Sequence, residues 1–566
     1  MAFPRSIDPD LQGDFVPRAY RNGPFLSCVG AVYIFATGPT SVDDIELRMF
    51  KLSPPLETSD FVEQDTTNRP LTSSLSWSAA SVVQEGDLLH IAVQENQSSA
   101  EPYYCRFDMA TDTWVDIDGL GDREVRAATI ANGVAGEEGI DIALLSTGRL
   151  RIVYQGQRNR VMGTDFAKVY AVDSVDNGKT WGTPVSIDDN TEGTSVDYTG
   201  GILVAPPNNS DQTHIFFATH SGSLSVYQRA MTEGGTLRTI RDTGVNTNSS
   251  GMRQPLHPGV GFDRGGTSKV RVLYLEETTN DLRVLNLDAF SDDSSPSFSS
   301  DLIDDDVGFA TTVLYANLTV EPDGAVHCIF TDRSDDDVFT ANDGAVDSWT
   351  TPVSIFAGTF SQRPFANVYV RDLGGGDCRR ILGHCFRDGT GGDPILYDED
   401  EIENLANCPT AFSITALSAI KDEGDSGTTT FTFTITRGGD LTCPASVDYA
   451  VTGSGANPAN AADFGGTLPS GMVNFAALDG SEVLTILVSG DTDVEEDEGF
   501  TVTLSNPSYA HEITVVTALG LIQNDDVAVS ADFFGPVRID VAPIDVIEVA
   551  PDNIVVSEVT IGISKG

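Results

Sequence analysis

Between about residue 20 and residue 405, apolar residues fall in short runs separated by Gly, Asp, Asn and Pro, and many runs alternate apolar with polar positions. Alternation of period two marks a half-buried strand, and no long segment keeps the 3.6-residue period of an amphipathic helix. The region is therefore predicted to be all-β. The runs also recur in blocks. "GIDIALLSTGRLRIVYQG" offers a strand, a Gly turn and a second strand, and continues through "KVYAVDSVDNGKTWGTPVSID" from Lys168 to Asp188. Further on, "LTVEPDGAVHCIFTD" leads into "VFTANDGAVDSWTTPVSIF", so that "WGTPVSI" at Trp181 is echoed by "WTTPVSI" at Trp349. A fainter copy, "YYCRFDMATDTWVDID", places Trp114 after an acidic turn.

Blocks of strands at a spacing of roughly fifty to sixty residues, with no helices between them, predict propeller blades of four antiparallel strands closed into a ring. Seven blades fit 20–405 best and six is the alternative, with 1–19 left as an N-terminal arm. After residue 405 the pattern becomes longer and more regular. "FSITALSAIKDEGDSGTTTFTFTITRGGDLTCPASVDYAVTG" alternates strictly, and "ADFGGTLPSGMVNFAALDGSEVLTILVSGDTDVEEDEGFTVTLSNP" and "ALGLIQNDD" follow it. The alternation predicts successive half-buried strands over 406–527. The remaining residues, 528–566, hold β-branched runs around Pro536, Pro543 and Pro551, a β-rich tail suited to anchoring or oligomerisation by strand addition or to an extra hairpin.

Two family resemblances carry the functional expectations. "SVDNGKTW", Ser174 to Trp181, matches S-x-D-x-G-x-T-W and so resembles the Asp-box (BNR repeat) of sialidase-like propellers. The resemblance implies a hairpin turn built by Ser174, Asp176, Gly178, Thr180 and Trp181 that stabilises the fold away from the sugar site. Of the looser copy, Asp343, Gly344 and Trp349 carry over. The region after residue 405 resembles a Calx-β domain, an immunoglobulin-like sandwich, through Glu423-Gly424, "SVDYAV" at Ser446, "ADF" at Ala462, the acidic loop from Gly490 and "NDD" at Asn524. That resemblance implies a seven-strand, two-layer antiparallel sandwich over 406–527 with Phe431, Phe433, Leu484, Ile486, Val502 and Leu504 facing inward, and a calcium cofactor held by Glu423, Asp463, Asp491, Asp493, Glu496 and Asp526. Calcium takes six to eight hard oxygen ligands, and carboxylates so crowded would otherwise repel one another.

A sialidase needs an arginine triad, a tyrosine nucleophile, a glutamate and an acid at the propeller centre. Here the first-blade stretch reads "FVPRAYRNGPF", with Arg18 and Arg21 in the wrong order around Pro17. Arg149, Arg151, Arg158, Arg160, Glu137 and Glu138 could furnish a site on paper, but no spacing requires it. The expectation is a non-enzymatic adhesion or structural protein that binds a host surface glycan or protein. The alternative is a sialidase-like glycoside hydrolase or a polysaccharide lyase with an accessory sandwich.

Net charge adds the setting. At −51, the chain is a poor partner for a phosphate backbone, and no apolar run is long enough to span a bilayer. Lysine is scarce and aspartate outnumbers glutamate, a surface that stays soluble when salt screens its self-repulsion, as in halophilic settings. A start lacking the apolar core of a secretory signal, combined with domains typical of outer surfaces, is expected of a virion protein: a fibre, spike or head-decoration component of a prokaryotic virus, oligomeric through its tail, or else an extracellular or cell-surface protein. The seven cysteines show no zinc or redox spacing. They are expected to be buried thiols, with a Cys378–Cys385 hairpin bridge as the leading exception.

Overall fold

A computed structural model describes residues 5–7, 23–405 and 411–527, apart from connecting segments, the longer being 71–76, 96–100, 130–138, 157–167, 188–197, 205–211, 220–224, 247–255, 288–297, 306–315, 357–361, 373–377 and 388–394. Arg18, Arg21, Glu137, Glu138, Arg158, Arg160, Cys408 and the tail from residue 528 lie outside the described residues.

The described chain is all-β. Seven sheets follow one another along it, spanning 25–64, 77–126, 140–186, 198–246, 256–304, 316–356 and 362–405. Each is an antiparallel meander, as in the third, where Ile140–Leu144, Leu150–Gly156, Lys168–Ser174 and Val185–Ser186 pair in order. The seventh has only three strands of its own and takes its fourth from Arg5–Ser6, which lie opposite Tyr397 and Leu396.

Apolar side chains explain why these sheets stack. Central strands such as Val326–Asp332 are buried along their whole length, polar His327, Thr331 and Asp332 included, because both of their faces meet neighbours. Each inter-sheet space holds one apolar cluster. Tyr33, Phe35, Ile91 and Phe107 join the first sheet to the second, and Tyr104, Ile142 and Ile152 join the second to the third. Similar clusters continue from third to fourth, fourth to fifth, fifth to sixth and sixth to seventh. A further cluster sets Ile7, Phe365, Ile381 and Tyr397 against Val32, Ile34 and Phe50, bringing the seventh sheet onto the first. Burying each such side chain contributes roughly 1.5–3 kcal/mol before chain entropy is counted.

Buried ions reinforce several of these junctions. Arg151 of the third sheet pairs with Asp173 at 2.7 Å and donates to the Met231 carbonyl of the fourth at 3.1 Å. Asp343 of the sixth sheet is fully buried and pairs with Arg264, at 2.9 Å, and Arg271 of the fifth.

From Ala411, two further sheets share one core. Ser481–Gly490, Gly427–Gly438, Ala411–Ser418 and Glu512–Val515 form one, and Ile420–Asp422, Thr517–Gln523, Glu498–Ser505, Ala445–Ser454 and Ser470–Phe475 form the other. Phe431, Phe433, Leu484, Ile486, Val502 and Leu504 all sit in the single apolar cluster between them. Threonines alternate with Phe431, Phe433 and Ile435 along the Gly427–Gly438 strand, the period-two pattern that keeps one face dry.

The cysteines require a correction. Cys378 and Cys385 lie on one strand, Cys378–Arg387. Seven residues of extended chain span roughly 23 Å, far beyond disulfide reach. Cys385 is a buried free thiol, as are Cys105 and Cys328. The disulfide instead joins Cys28 and Cys443, which are 415 residues apart in sequence with Cα atoms 5.8 Å apart. It ties the turn after the first strand of the first sheet to the loop between Gly427–Gly438 and Ala445–Ser454. Both cysteines are held by other contacts: Cys28 N–H donates to Asp87 Oδ1 at 2.7 Å, and the Cys443 carbonyl accepts from Arg437 Nη1 at 2.7 Å.

Candidate functional site: the acidic end of the C-terminal sheets

Three loops and a strand end bring carboxylates together. Glu423 follows the short Ile420–Asp422 strand, and its backbone N–H donates to the Gln523 carbonyl at 3.2 Å, which aligns it with residues 524–526. Gly424, with φ of 88°, then turns the chain, and its N–H donates to Asp525 Oδ1 at 3.1 Å. Gly490 lies so close to the Gly424 carbonyl that an added Cβ would come within 1.9 Å of it, so the acidic loop starts hard against Glu423. Asp463 sits on the 3-10 turn Ala462–Phe464, with its Oδ2 accepting from Asn460 N–H at 2.6 Å. Within the loop, Asp493 N–H donates to Asp491 Oδ1 at 2.7 Å, and Glu495 N–H ties the loop to the 524–526 segment by donating to Asn524 Oδ1 at 3.1 Å.

Two carboxylate triads result, Glu423 with Asp525 and Asp526, and Asp463 with Glu495 and Glu498, the candidate ligand oxygens of each lying within 4.8 Å of one another. Crowding shows in the proton affinities. Burial, then the charges of Asp491, Glu495, Asp526 and Asp463, push the Glu423 carboxyl up to about 7. Burial and a hydrogen bond with Asp463 push Glu498 up to about 7 as well. Burial, with Asp463 and Asp491 behind it, also raises Glu495. Asp526 Oδ2 is a buried oxygen with no hydrogen-bond partner among the described residues. Hard oxygens, like charges and an orphaned buried acceptor are together what a calcium ion would satisfy.

Of the residues singled out in the sequence, Glu423 and Asp526 share one triad and Asp463 is in the other. Asp491 and Asp493 belong to neither, yet both lie near enough for their charges to raise Glu495 and Asp526. Glu496 is exposed and outside both triads. Asp525 and Asp497 were further candidates from the sequence, and Asp525 joins the Glu423 triad, whereas Glu495 and Glu498 were missed. For Glu498 a signal existed: it opens the Glu498–Ser505 strand two residues before buried Phe500, so alternation turns it to the inner side. No such rule reaches Glu495, which lies in a loop.

The Ser174–Trp181 turn joins the third and fourth strands of the third sheet. Asp176 Oδ1 accepts from Ser174 Oγ at 2.8 Å and from Thr180 N–H at 2.9 Å, and Asp176 Oδ2 accepts from Thr180 Oγ1 at 2.6 Å. Gly178, with φ of 84°, leaves no space for a side chain, since a Cβ would lie 2.0 Å from the Tyr104 ring. Trp181 donates Nε1–H to the Gly178 carbonyl at 3.1 Å and meets Tyr104 edge-on at 5.4 Å. At the second copy, Asp343 is directed elsewhere, into the arginine cluster, while Gly344 keeps φ of 54° and Trp349 lies 5.8 Å from the Arg271 guanidinium.

A cavity of about 260 Å³ opens among the first strands of the sheets. Its polar lining side chains are the neutral Gln84, Asn317, Thr319 and Asn367, among apolar residues and glycines. Arg149 and Arg151 both pair with Asp173 and do not line it.

No protein-family model matches this chain, and no curated protein matches it. Among solved structures, the apo-form Calx CBD1 domain is 25% identical over 21% of this chain and 98% of that one, with a TM-score of 0.17. The chain has a weak similarity to Calx-β domains. A protein of unknown function from Dyadobacter fermentans is 13% identical over 71% of this chain and 99% of that one, with a TM-score of 0.35. The polysaccharide lyase Uly1 is 9% identical over 68% of this chain and 90% of that one, with a TM-score of 0.39. Among the described residues, no helix is long and apolar enough to cross a membrane.

Proposed function

We propose that this protein is a non-catalytic surface-binding protein in which a seven-bladed propeller presents the binding loops and a calcium-stiffened Calx-β sandwich supports them. The observation that carries the reading is the pair of carboxylate triads with raised proton affinities and an unsatisfied Asp526 Oδ2. Calcium would be held by Glu423, Asp525 and Asp526 at one position and by Asp463, Glu495 and Glu498 at the other, with Asp491 and Asp493 beside them. The ion supplies positive charge, which relieves the mutual repulsion and binds three separate segments into one end.

What supports a closed ring is the succession of apolar clusters, the last of which joins the seventh sheet to the first, together with the fourth strand given to the seventh sheet by Arg5–Ser6. The Asp176 turn supports the Asp-box reading. The cavity's neutral Gln84, Asn317, Thr319 and Asn367 are side chains suited to hydrogen-bonding a polar ligand such as a glycan. The disulfide and the charge of −51 fit an oxidising, saline exterior, and a virion surface or cell surface with a host glycan or protein as partner is the setting we assign.

The test is calorimetry of the full chain in calcium and in chelator, paired with binding to host cells and a product assay on host envelope polysaccharide. The expected result is an upward shift of one unfolding transition in calcium, cell binding, and no sugar released. A melt indifferent to calcium would overturn the metal site, and sugar release abolished by changing a carboxylate would overturn the non-catalytic reading.

A further inference from the structure

The Ser481–Gly490 strand is an open edge. It pairs with Gly427–Gly438 on one side, and among the described residues no strand pairs with the other. It is ten residues long, regular in register throughout, and carries Val483 and Leu487 exposed on its outer face. Long, flat, apolar edges are sites of strand addition unless something covers them. Glu482 is the single charge along this one.

The chain contains a segment with matching properties. Pro536, Pro543 and Pro551 divide residues 528–566 into runs, because proline cannot donate to a ladder. Runs 537–542 and 544–550 are shorter than the open edge, whereas 554–563, "IVVSEVTIGI", equals it in length and is rich in β-branched residues. We propose that the Ser481–Gly490 edge of one copy takes the 554–563 segment of a second copy as an added strand. This rests on the expectation, drawn from the sequence, that the tail mediates oligomerisation, and is independent of the calcium site.

A second copy is favoured over the same chain by the sheet order. The tail leaves the Thr517–Gln523 strand, which lies beside Ile420–Asp422 at one flank of its sheet. Ser470–Phe475, which leads into the Ser481–Gly490 strand, forms the opposite edge of that sheet. Donor segment and acceptor edge are different surfaces, so reciprocal exchange closes a dimer and one-way exchange builds a ring or fibre.

The experiment measures mass by light scattering at tens of micromolar, in calcium, for the full chain, for a chain ending at Val527, and for the double variant Val483→Lys/Leu487→Lys. Lysine at exposed edge positions opposes pairing without disturbing the core. The full chain is expected to exceed the mass of one chain and both altered proteins to fall to it, with amides of 481–490 exchanging faster in each. A monomeric full chain whose 481–490 amides lose protection on truncation would place the chain's own tail there and overturn the second-copy assignment. A monomeric full chain with those amides unprotected, or an assembly that survives truncation, would overturn the proposal outright. The calcium shift, read on the same three samples, is expected to stay in all of them. Its loss from the full chain would count against the calcium reading alone.

Discussion

Replacing Cys28 or Cys443 by serine should destabilise the C-terminal sheets far more than the seven that precede them. A disulfide removes closure entropy from the unfolded chain in proportion to the logarithm of the loop it closes. If everything unfolded together, the 415-residue separation would correspond to about 6 kcal/mol. If the seven sheets persist while the C-terminal pair melts, the closed loop runs only from near residue 405 to Cys443, and the stabilisation is about 4 kcal/mol. For a unit of this size, that corresponds to a fall of roughly 10–20 °C in melting temperature. The chain allows the two transitions to be read apart. Its four tryptophans, Trp77, Trp114, Trp181 and Trp349, all precede residue 405, so tryptophan fluorescence follows the seven sheets while far-ultraviolet circular dichroism follows both parts. The expected outcome is a large drop in one dichroism transition with the fluorescence transition nearly unmoved, equal for Cys28→Ser and Cys443→Ser. Coincident transitions that drop together, or unequal effects of the two variants, would refute the reasoning, because the entropy of a shared loop cannot depend on which end is cut.

Two further outcomes follow from the buried charges. Glu423 and Glu498, both raised from an ordinary 4.5 to about 7, keep protons in the folded state that the unfolded chain has released. In chelator, their contribution to stability is therefore complete below pH 4.5 and is lost as pH rises through 7; in excess calcium the ion displaces those protons and stability should rise over the same range, which melting curves at stepped pH would check. Replacing Asp343 by alanine removes a carboxylate paired with the buried Arg271 and deprives Val326 N–H of an acceptor 2.8 Å away; the expected cost is about 3–5 kcal/mol in urea unfolding, and a loss below about 1 kcal/mol would show that water replaces the carboxylate.

Period-two alternation made the strands legible, because a strand that buries one face must write that face into every second residue. The six inward positions expected from Phe431 to Leu504 lie in one core for this reason. The Ser174–Trp181 turn was legible because its hydrogen bonds join residues within eight positions of one another, so that spacing and geometry are nearly the same information. What the sequence withheld depends on distant chain segments meeting. Nothing local to Cys28 indicates Cys443, nor does anything near Asp343 indicate Arg264 and Arg271. Asp343 stands where a turn-forming aspartate was expected, and the buried guanidiniums of the preceding sheet take its carboxylate instead. In the acidic loop, where alternation lapses, adjacent carboxylates such as Glu495 and Glu496 could not be told apart from their order alone.

The pairing of Arg5–Ser6 with the strand around Tyr397 also constrains how the protein is made. The seventh sheet cannot be completed until nearly all of the seven-sheet region has left the ribosome, although its outer strand emerges ahead of the region's other strands. At ordinary rates of synthesis, that segment must wait on the order of tens of seconds while six sheets form beside it. During that interval, the facing surfaces of the first and last sheets, around Val32, Ile34 and Phe50, have no partner. Chaperones thus meet a nascent chain whose last contact to form joins segments from opposite ends of the region, and slow synthesis lengthens its exposure to aggregation.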